Sequence, residues 1–351
     1  MKYILILLLV MLFTALNAEL TFTAYPYAAY TSETRLMAGA FSFFRYNFAE
    51  SDEPVHAIDL LANTIYSQNK QFVVALIPRY RRGSWSLESS LQFEDWPDSF
   101  YGIGNHTDSD VSESFTTRMY ASELALRYRL SQILSVSALS NIGAHRLRGI
   151  QPGGMLEAAD VPGKDESFFS GLGLGILLDT TDGSYYPLTG LKLEGKQIWY
   201  HSSLGSDFDF RKTSLDFRLF HPLSSKQVLA AQTDLEMNYQ EVPFYLYPQL
   251  GDRLRAYDTK RFIDKVRISQ RLEHRHFPFE GKYSGRLGFV VFTEFGQVAQ
   301  STEYLRLEDT HWSLGGGLRF SILPRERLNL RADLGIGKDS FNVMINAREV
   351  F

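Results

Sequence analysis

The sequence predicts an all-β protein: a transmembrane antiparallel β-barrel of sixteen strands, exported behind a cleaved leader. Three observations predict it. Apolar residues recur with a period of two, the alternating runs are long, and long polar connections alternate with tight turns. Leu124, Leu126, Tyr128 and Leu130 alternate with Ala125, Arg127 and Arg129. Leu191, Leu193 and Trp199 alternate with Lys192, Glu194 and Lys196, and Leu215, Phe217 and Leu219 flank Asp216 and Arg218. Leu328, Leu330, Ala332 and Leu334 alternate with Asn329, Arg331 and Asp333. In a barrel the apolar set faces lipid and the charged set lines the lumen. Soluble strands are usually about five or six residues long, whereas membrane-crossing strands take roughly 9–11.

Taken in order, the strands are placed at 21–30, 34–46, 57–67, 70–81, 84–94, 116–130, 132–146 and 168–179 in the first half. The second half supplies 188–201, 208–221, 226–240, 262–276, 284–298, 310–321, 327–337 and 341–351. If residue 19 starts in the periplasm, the polar connections 95–115, 147–167, 241–261 and 299–309 all fall outside or in the lumen. The tight turns at Arg82-Gly83, Leu130-Ser131-Gln132, Pro222–Lys226 and Leu323-Pro324-Arg325 then share the periplasmic rim. The connection 47–56 is long for that rim.

Met1–Ala18 reads as a signal peptide: Lys2 is the basic start, 4–13 is unbroken and apolar, and Ala15, Leu16 and Ala18 offer a cleavage region. The run is too short for a spanning helix, which needs roughly 20 residues. Residues 19–351 are then one barrel domain. The sequence has no cysteine, which excludes a lipidated N-terminus and a disulfide framework. Loss of Lys2 with the leader takes the formal net charge from −4 to −5, so no basic signature for nucleic acid is present.

Several segments resemble the BamA/TamA superfamily of outer-membrane barrels, also called the bacterial surface antigen family. Leu254-Arg255-Ala256-Tyr257 is similar to its Val-Arg-Gly-Phe/Tyr signature, and continues through Asp258, Arg261, Phe262 and Asp264. Asp179-Thr180-Thr181-Asp182 with Pro187-Leu188-Thr189-Gly190 resembles its Asp-x-Arg-Asp…Pro-x-x-Gly turn, with Thr181 in place of Arg. Phe100-Tyr101-Gly102-Ile103-Gly104-Asn105, Asp333-Leu334-Gly335-Ile336-Gly337 and the ending Arg348-Glu349-Val350-Phe351 agree with it in order. The resemblance implies a bacterial outer-membrane barrel that handles other proteins, with loop 241–261 folded into the lumen. It implies that Arg255 pairs there with Glu273 and Glu294, and that Phe351 is a C-terminal insertion signal in the periplasmic aromatic girdle. Ala256 stands where the signature has Gly, which strains the site if a positive φ is needed. No periplasmic repeat is expected, so the family's client-handling mechanism does not transfer directly. Expected partners are outer-membrane lipid, the barrel assembly machinery during biogenesis, and either client outer-membrane proteins or a separate periplasmic partner. The alternatives are a porin-like or structural barrel, or the membrane anchor of a complex with a separate periplasmic partner.

An Arg–carboxylate fork in a narrow lumen is sound physically, since guanidinium binds carboxylates bidentately. Such a charge-assisted contact contributes about 1.5–3 kcal/mol. Glu273 shares strand parity with Arg271 and Arg275, opposite Leu272, and so points inward; Glu294 shares parity with Val290 and Phe292.

Other signals favour no cofactor, metal or catalysis. The glycine runs 171–175 and 315–317 lie within strand patterns and open no helix, which fits close approach or curvature better than a phosphate cradle. His274 and His276, with His311 further on, occupy alternating strand positions in a chain without cysteine, which fits solvated or interfacial histidines better than a metal site. His201-Ser202-Ser203 and His221-Pro222 are the only suggestive hydrolase neighbours, and no Gly-x-Ser-x-Gly elbow occurs.

Overall fold

A computed structural model of the chain describes residues 19–31, 33–48, 56–183, 186–279, 286–323, 328–347 and 349–351. The leader, most of connection 47–56, and Pro324 and Arg325 lie outside the described residues. Sixteen strands close into one antiparallel barrel in which sequence neighbours are sheet neighbours. They are β1 (Glu19–Thr31), β2 (Arg35–Asn47), β3 (His56–Ser67), β4 (Phe72–Arg82), β5 (Trp85–Phe100), β6 (Glu113–Arg129), β7 (Leu134–Arg148) and β8 (Ser167–Asp179). The second half contains β9 (Gly190–Tyr200), β10 (Phe210–Ser224), β11 (Gln227–Gln240), β12 (Val266–His276), β13 (Leu287–Ala299), β14 (His311–Leu323), β15 (Leu328–Ile336) and β16 (Phe341–Ala347).

The period-two reading places the two faces correctly. Leu124 and Leu126 on β6, Leu172, Leu174 and Ile176 on β8, and Leu215, Phe217 and Leu219 on β10 are exposed on the outer wall. Inward positions carry the charge, as in Arg267, Arg271, Glu273 and Arg275 on β12. Because side chains alternate strictly across a strand, each inward acid or base fixes an outward apolar neighbour.

Four expectations need correction. The expected connection 95–115 shrinks to 101–112, because β5 and β6 continue pairing as far as Phe100↔Glu113. The strand expected at 262–276 begins only at Val266. Its first residues belong to the preceding segment: Ile263 bridges Gln249, and the Leu250 N–H donates to the Phe262 carbonyl at 2.9 Å. The last strand stops at Ala347, not 351. Continued in register, it would carry Glu349 and Phe351 on the lipid-facing side with Phe341 and Ile345. Phe351 therefore leaves the girdle position and is buried with Phe220, Val228 and Ala230.

Closure is uneven. β1 pairs with β2 along its whole length, and β15 with β16 from Leu330↔Ala347 to Ile336↔Phe341. Between β1 and β16 the only pair among the described residues is Tyr30↔Ile345.

The long connections 101–112, 149–166, 241–265 and 300–310 share one rim with the short β1–β2, β3–β4 and β15–β16 turns, while the opposite rim carries the tight β4–β5, β6–β7 and β10–β11 turns and the longer β8–β9 connection. A turn at the second rim shows why its sequence is special. Between β8 and β9 the Asp182 carboxylate accepts from the Leu188 and Thr189 N–H groups at 2.8 and 3.2 Å. Gly190 then has φ of +106°, open to glycine but not to a side chain without strain. If this rim is periplasmic, Ser225→Cys on the β10–β11 turn should stay unlabelled by a membrane-impermeant maleimide on intact cells. Labelling there would invert the orientation.

Candidate functional site

The segment 241–265, between β11 and β12, is built to be buried. Pro243 opens a turn in which the Leu246 N–H donates to its carbonyl at 2.9 Å. Further turns follow at Leu250–Leu254 and Leu254–Tyr257. Gly251 has no room for a side chain, since a Cβ would meet the Asp258 carbonyl at 1.7 Å.

Two apolar clusters receive this segment. Val242, Phe244, Tyr247 and Ile263 pack with Phe100, Phe115, Leu147, Phe169, Tyr200 and Phe210 from β5–β10. Leu250, Leu254, Ala256, Tyr257 and Phe262 pack with Val298 of β13. Tyr245 stacks on His145 with ring centroids 3.6 Å apart, and its hydroxyl lies 2.9 Å from the Ser167 Oγ. At the far end the Thr259 N–H donates to Glu33 Oε2 at 3.0 Å, and Lys260 forms a buried pair with Asp98. Burial opposes the charge on Lys260, but Asp98 and Glu94 outweigh it and hold its pKa above the ordinary value. These attachments run from the β1–β2 turn through β5–β10 to β13.

Arg255 is the electrostatic centre. Its Nε donates to Glu294 Oε1 at 2.6 Å and its backbone N–H to Glu294 Oε2 at 2.6 Å. Its Nη2 lies 2.7 Å from Glu273 Oε1, and Nη1 donates to Asp333 Oδ2 at 3.1 Å. The guanidinium carbon sits 3.3 Å from the Phe292 ring centroid. The Arg255 residue is 4% exposed, and Glu273 and Glu294 are 0% exposed. Burial would push the guanidinium pKa down, but Glu294, Glu273 and Asp333 together raise it. The acids are shared: Glu273 also holds Arg275 at 2.8 Å, and Asp333 holds Arg319 at 2.5 Å and Arg331 at 2.6 Å.

The geometry thus brings Arg255 together with both sequence-predicted carboxylates and adds Asp333, which the sequence reading singled out only as part of a motif. Its parity was the available signal. Asp333, Gly335 and Gly337 occupy alternate positions, an acid followed by two gaps. A Cβ on Gly335 would lie 2.8 Å from the Arg255 carbonyl carbon, and one on Gly337 would lie 2.6 Å from the Tyr257 hydroxyl. Gly315 and Gly317 likewise face Phe292 and Asp333. Ala256 is not strained: among the described residues the non-glycine residues with positive φ are Arg35, Lys70 and Gln240. Its N–H donates to Ser313 Oγ at 3.2 Å, and Ser340 Oγ donates to its carbonyl.

The rest of the motif fastens the segment elsewhere. Arg261 Nη2 donates to the Thr107 carbonyl at 2.6 Å, and Phe262 stacks on His311 at 3.7 Å. Asp264 Oδ1 accepts from the Lys265 N–H at 2.8 Å, and burial raises its carboxyl pKa. The Gly104 N–H donates to the Ile263 carbonyl at 2.9 Å, while Asn105 bridges both main-chain groups of Val298. His201 and Ser203 meet at 2.8 Å, but on an exposed turn where His201 Nδ1 also accepts from the Ser203 N–H. That contact caps the turn.

A closed sixteen-strand barrel with an apolar outer wall and a charged interior defines a bacterial outer-membrane β-barrel protein. Residues 61–337 match the Omp85 superfamily domain, and the chain belongs to that superfamily. BamA from Haemophilus ducreyi lacking POTRA domains 1-3 is similar in fold, with a TM-score of 0.63 and 16% identity over 95% of this chain and 70% of that one. CdiB from Escherichia coli has a TM-score of 0.62 and 10% identity over 93% of this chain, which spans 62% of its length. CdiB from Acinetobacter baumannii has a TM-score of 0.55 and 10% identity over 94% of this chain and 59% of its own. At these identities the likeness is one of fold. No curated protein matches the sequence.

Proposed function

We propose that this chain serves protein assembly or translocation at the outer membrane, as a barrel whose lumen is closed by its own segment 241–265. Arg255 is the lock, with Glu273, Glu294 and Asp333 as its partners. That Tyr30↔Ile345 is the one β1–β16 pair among the described residues is the observation that carries the assembly reading. An unpaired strand edge is a template for another strand, and here it borders the membrane rather than an open channel. A porin-like role fits less well, because apolar side chains from the ends of β5–β10 and from segment 241–265 pack together across the mouth where a solute path would run. In this reading Phe351 marks the chain for insertion before folding and anchors its end in the lumen afterwards.

The test is depletion of the protein followed by quantitative outer-membrane proteomics. A fall in a set of other outer-membrane proteins, with their transcripts unchanged, is the expected result. An unchanged proteome accompanied by loss of uptake of a small solute would return the barrel to the porin class.

A further inference from the structure

Buried charges continue past Arg255 to the residues that follow β16. One arm runs from Arg255 through Asp333 to Arg319, whose Nε donates to Glu349 Oε2 at 2.7 Å. Asn329 Nδ2 holds the other oxygen of Glu349 at 2.9 Å. The second arm runs from Arg255 through Glu273 to Arg275, whose Nη2 donates to the Phe351 main-chain oxygen at 3.1 Å. Above the Phe351 ring lie the guanidinium groups of Arg275 and Arg271, at 5.0 and 5.1 Å from its centroid. Shared ion pairs thus link Arg255, Arg275, Arg319 and Arg331 to Glu273, Glu294, Asp333 and Glu349, with Arg271 a further buried cation beside Phe351.

We propose that Arg319, Arg275 and Glu349 are positioning residues that couple the tail 349–351 to segment 241–265, so that release of either loosens the other. The proposal rests on the reading of Arg255 as the lock. The physical reason is that the arginines share their carboxylates. Removing one member of an alternating buried set leaves its neighbour unpaired, and the deficit passes along shared carboxylates. Asp333 serves Arg255 and Arg319 at once, so loss of Glu349 draws Asp333 toward Arg319 and weakens its hold on Arg255. The tail follows β16, whose one pair to β1 among the described residues is Tyr30↔Ile345. Attachment of the interior segment is thereby communicated to the seam strand.

The experiment exploits the absence of native cysteine. Ala256→Cys reports on the segment and Val350→Cys on the tail, read as maleimide labelling rates of the folded, heat-modifiable protein in liposomes. Glu349→Gln should speed labelling at Ala256→Cys by about tenfold or more, the scale of one charge-assisted hydrogen bond. Arg255→Ala should do the same at Val350→Cys. The double variant should be no faster than the faster single one, since coupled residues are non-additive. If Glu349→Gln speeds labelling only at Val350→Cys, or if the two effects multiply, the coupling is overturned while the lock stands. If Arg255→Ala leaves labelling at Ala256→Cys slow, the lock itself fails and the coupling with it.

Discussion

Arg255→Ala is expected to free segment 241–265 from β12–β15 while leaving the sheet closed. The substitution strands Glu294, which loses both its side-chain partner and the alignment of the Arg255 N–H, and removes one cation each from Glu273 and Asp333. Breaking a buried ion pair by removing one partner costs about 3–5 kcal/mol. Even the lower figure is more than a hundredfold in the open fraction. Chymotrypsin should then cut near Tyr257 and Phe262, which are buried in the intact protein, and single-barrel conductance should rise. The strands themselves are expected to resist, because their ladders do not depend on Arg255. Arg255→Lys should be intermediate, since a compact ammonium lacks the planar fork that meets three acids together. Glu273→Ala, Glu294→Ala and Asp333→Ala should each have a smaller effect than Arg255→Ala. Wild-type behaviour of all of these variants in both assays would falsify the lock.

The second large effect is expected at the seam. Tyr30 and Ile345 are opposite partners and both point outward, Ile345 with Phe341 and Val343 on the lipid side. Partners in an antiparallel pair lie about 4.5–5.5 Å apart at Cα, inside the range of about 4.4–6.8 Å that a disulfide accepts. Tyr30→Cys with Ile345→Cys should therefore cross-link on oxidation. A covalent seam should leave the barrel folded and abolish the activity that needs the edge, with recovery on reduction. A lumenal transport function would be unaffected by the same bond.

Much of this was legible in the sequence, for physical reasons that also mark where legibility stopped. A membrane barrel forces strict alternation, so the outward row Leu215, Phe217, Leu219 could be read directly. The inward direction of Glu273 followed from the same parity. What alternation does not encode is which inward residues meet across the lumen, so Asp333 went unassigned although it lay in a noted motif. The ends of strands were also hidden. Residues 341–347 alternate smoothly and nothing in the pattern halts them, but Glu349 on the lipid-facing parity was a signal that the strand could not continue. At 262–265 the segment pairs with itself, through Ile263 and Gln249, which is a tertiary choice that local sequence does not announce.

The central claim is that the poorly paired β1–β16 edge acts on other membrane proteins while the lumen stays shut. Its most direct test is reconstitution of Tyr30→Cys/Ile345→Cys into liposomes, with the folding rate of an urea-unfolded outer-membrane barrel measured before and after reduction. The account predicts faster client folding with the reduced protein than with empty liposomes, and no acceleration with the oxidised form. Equal acceleration by both forms, or none by either alongside a conducting pore, would contradict it.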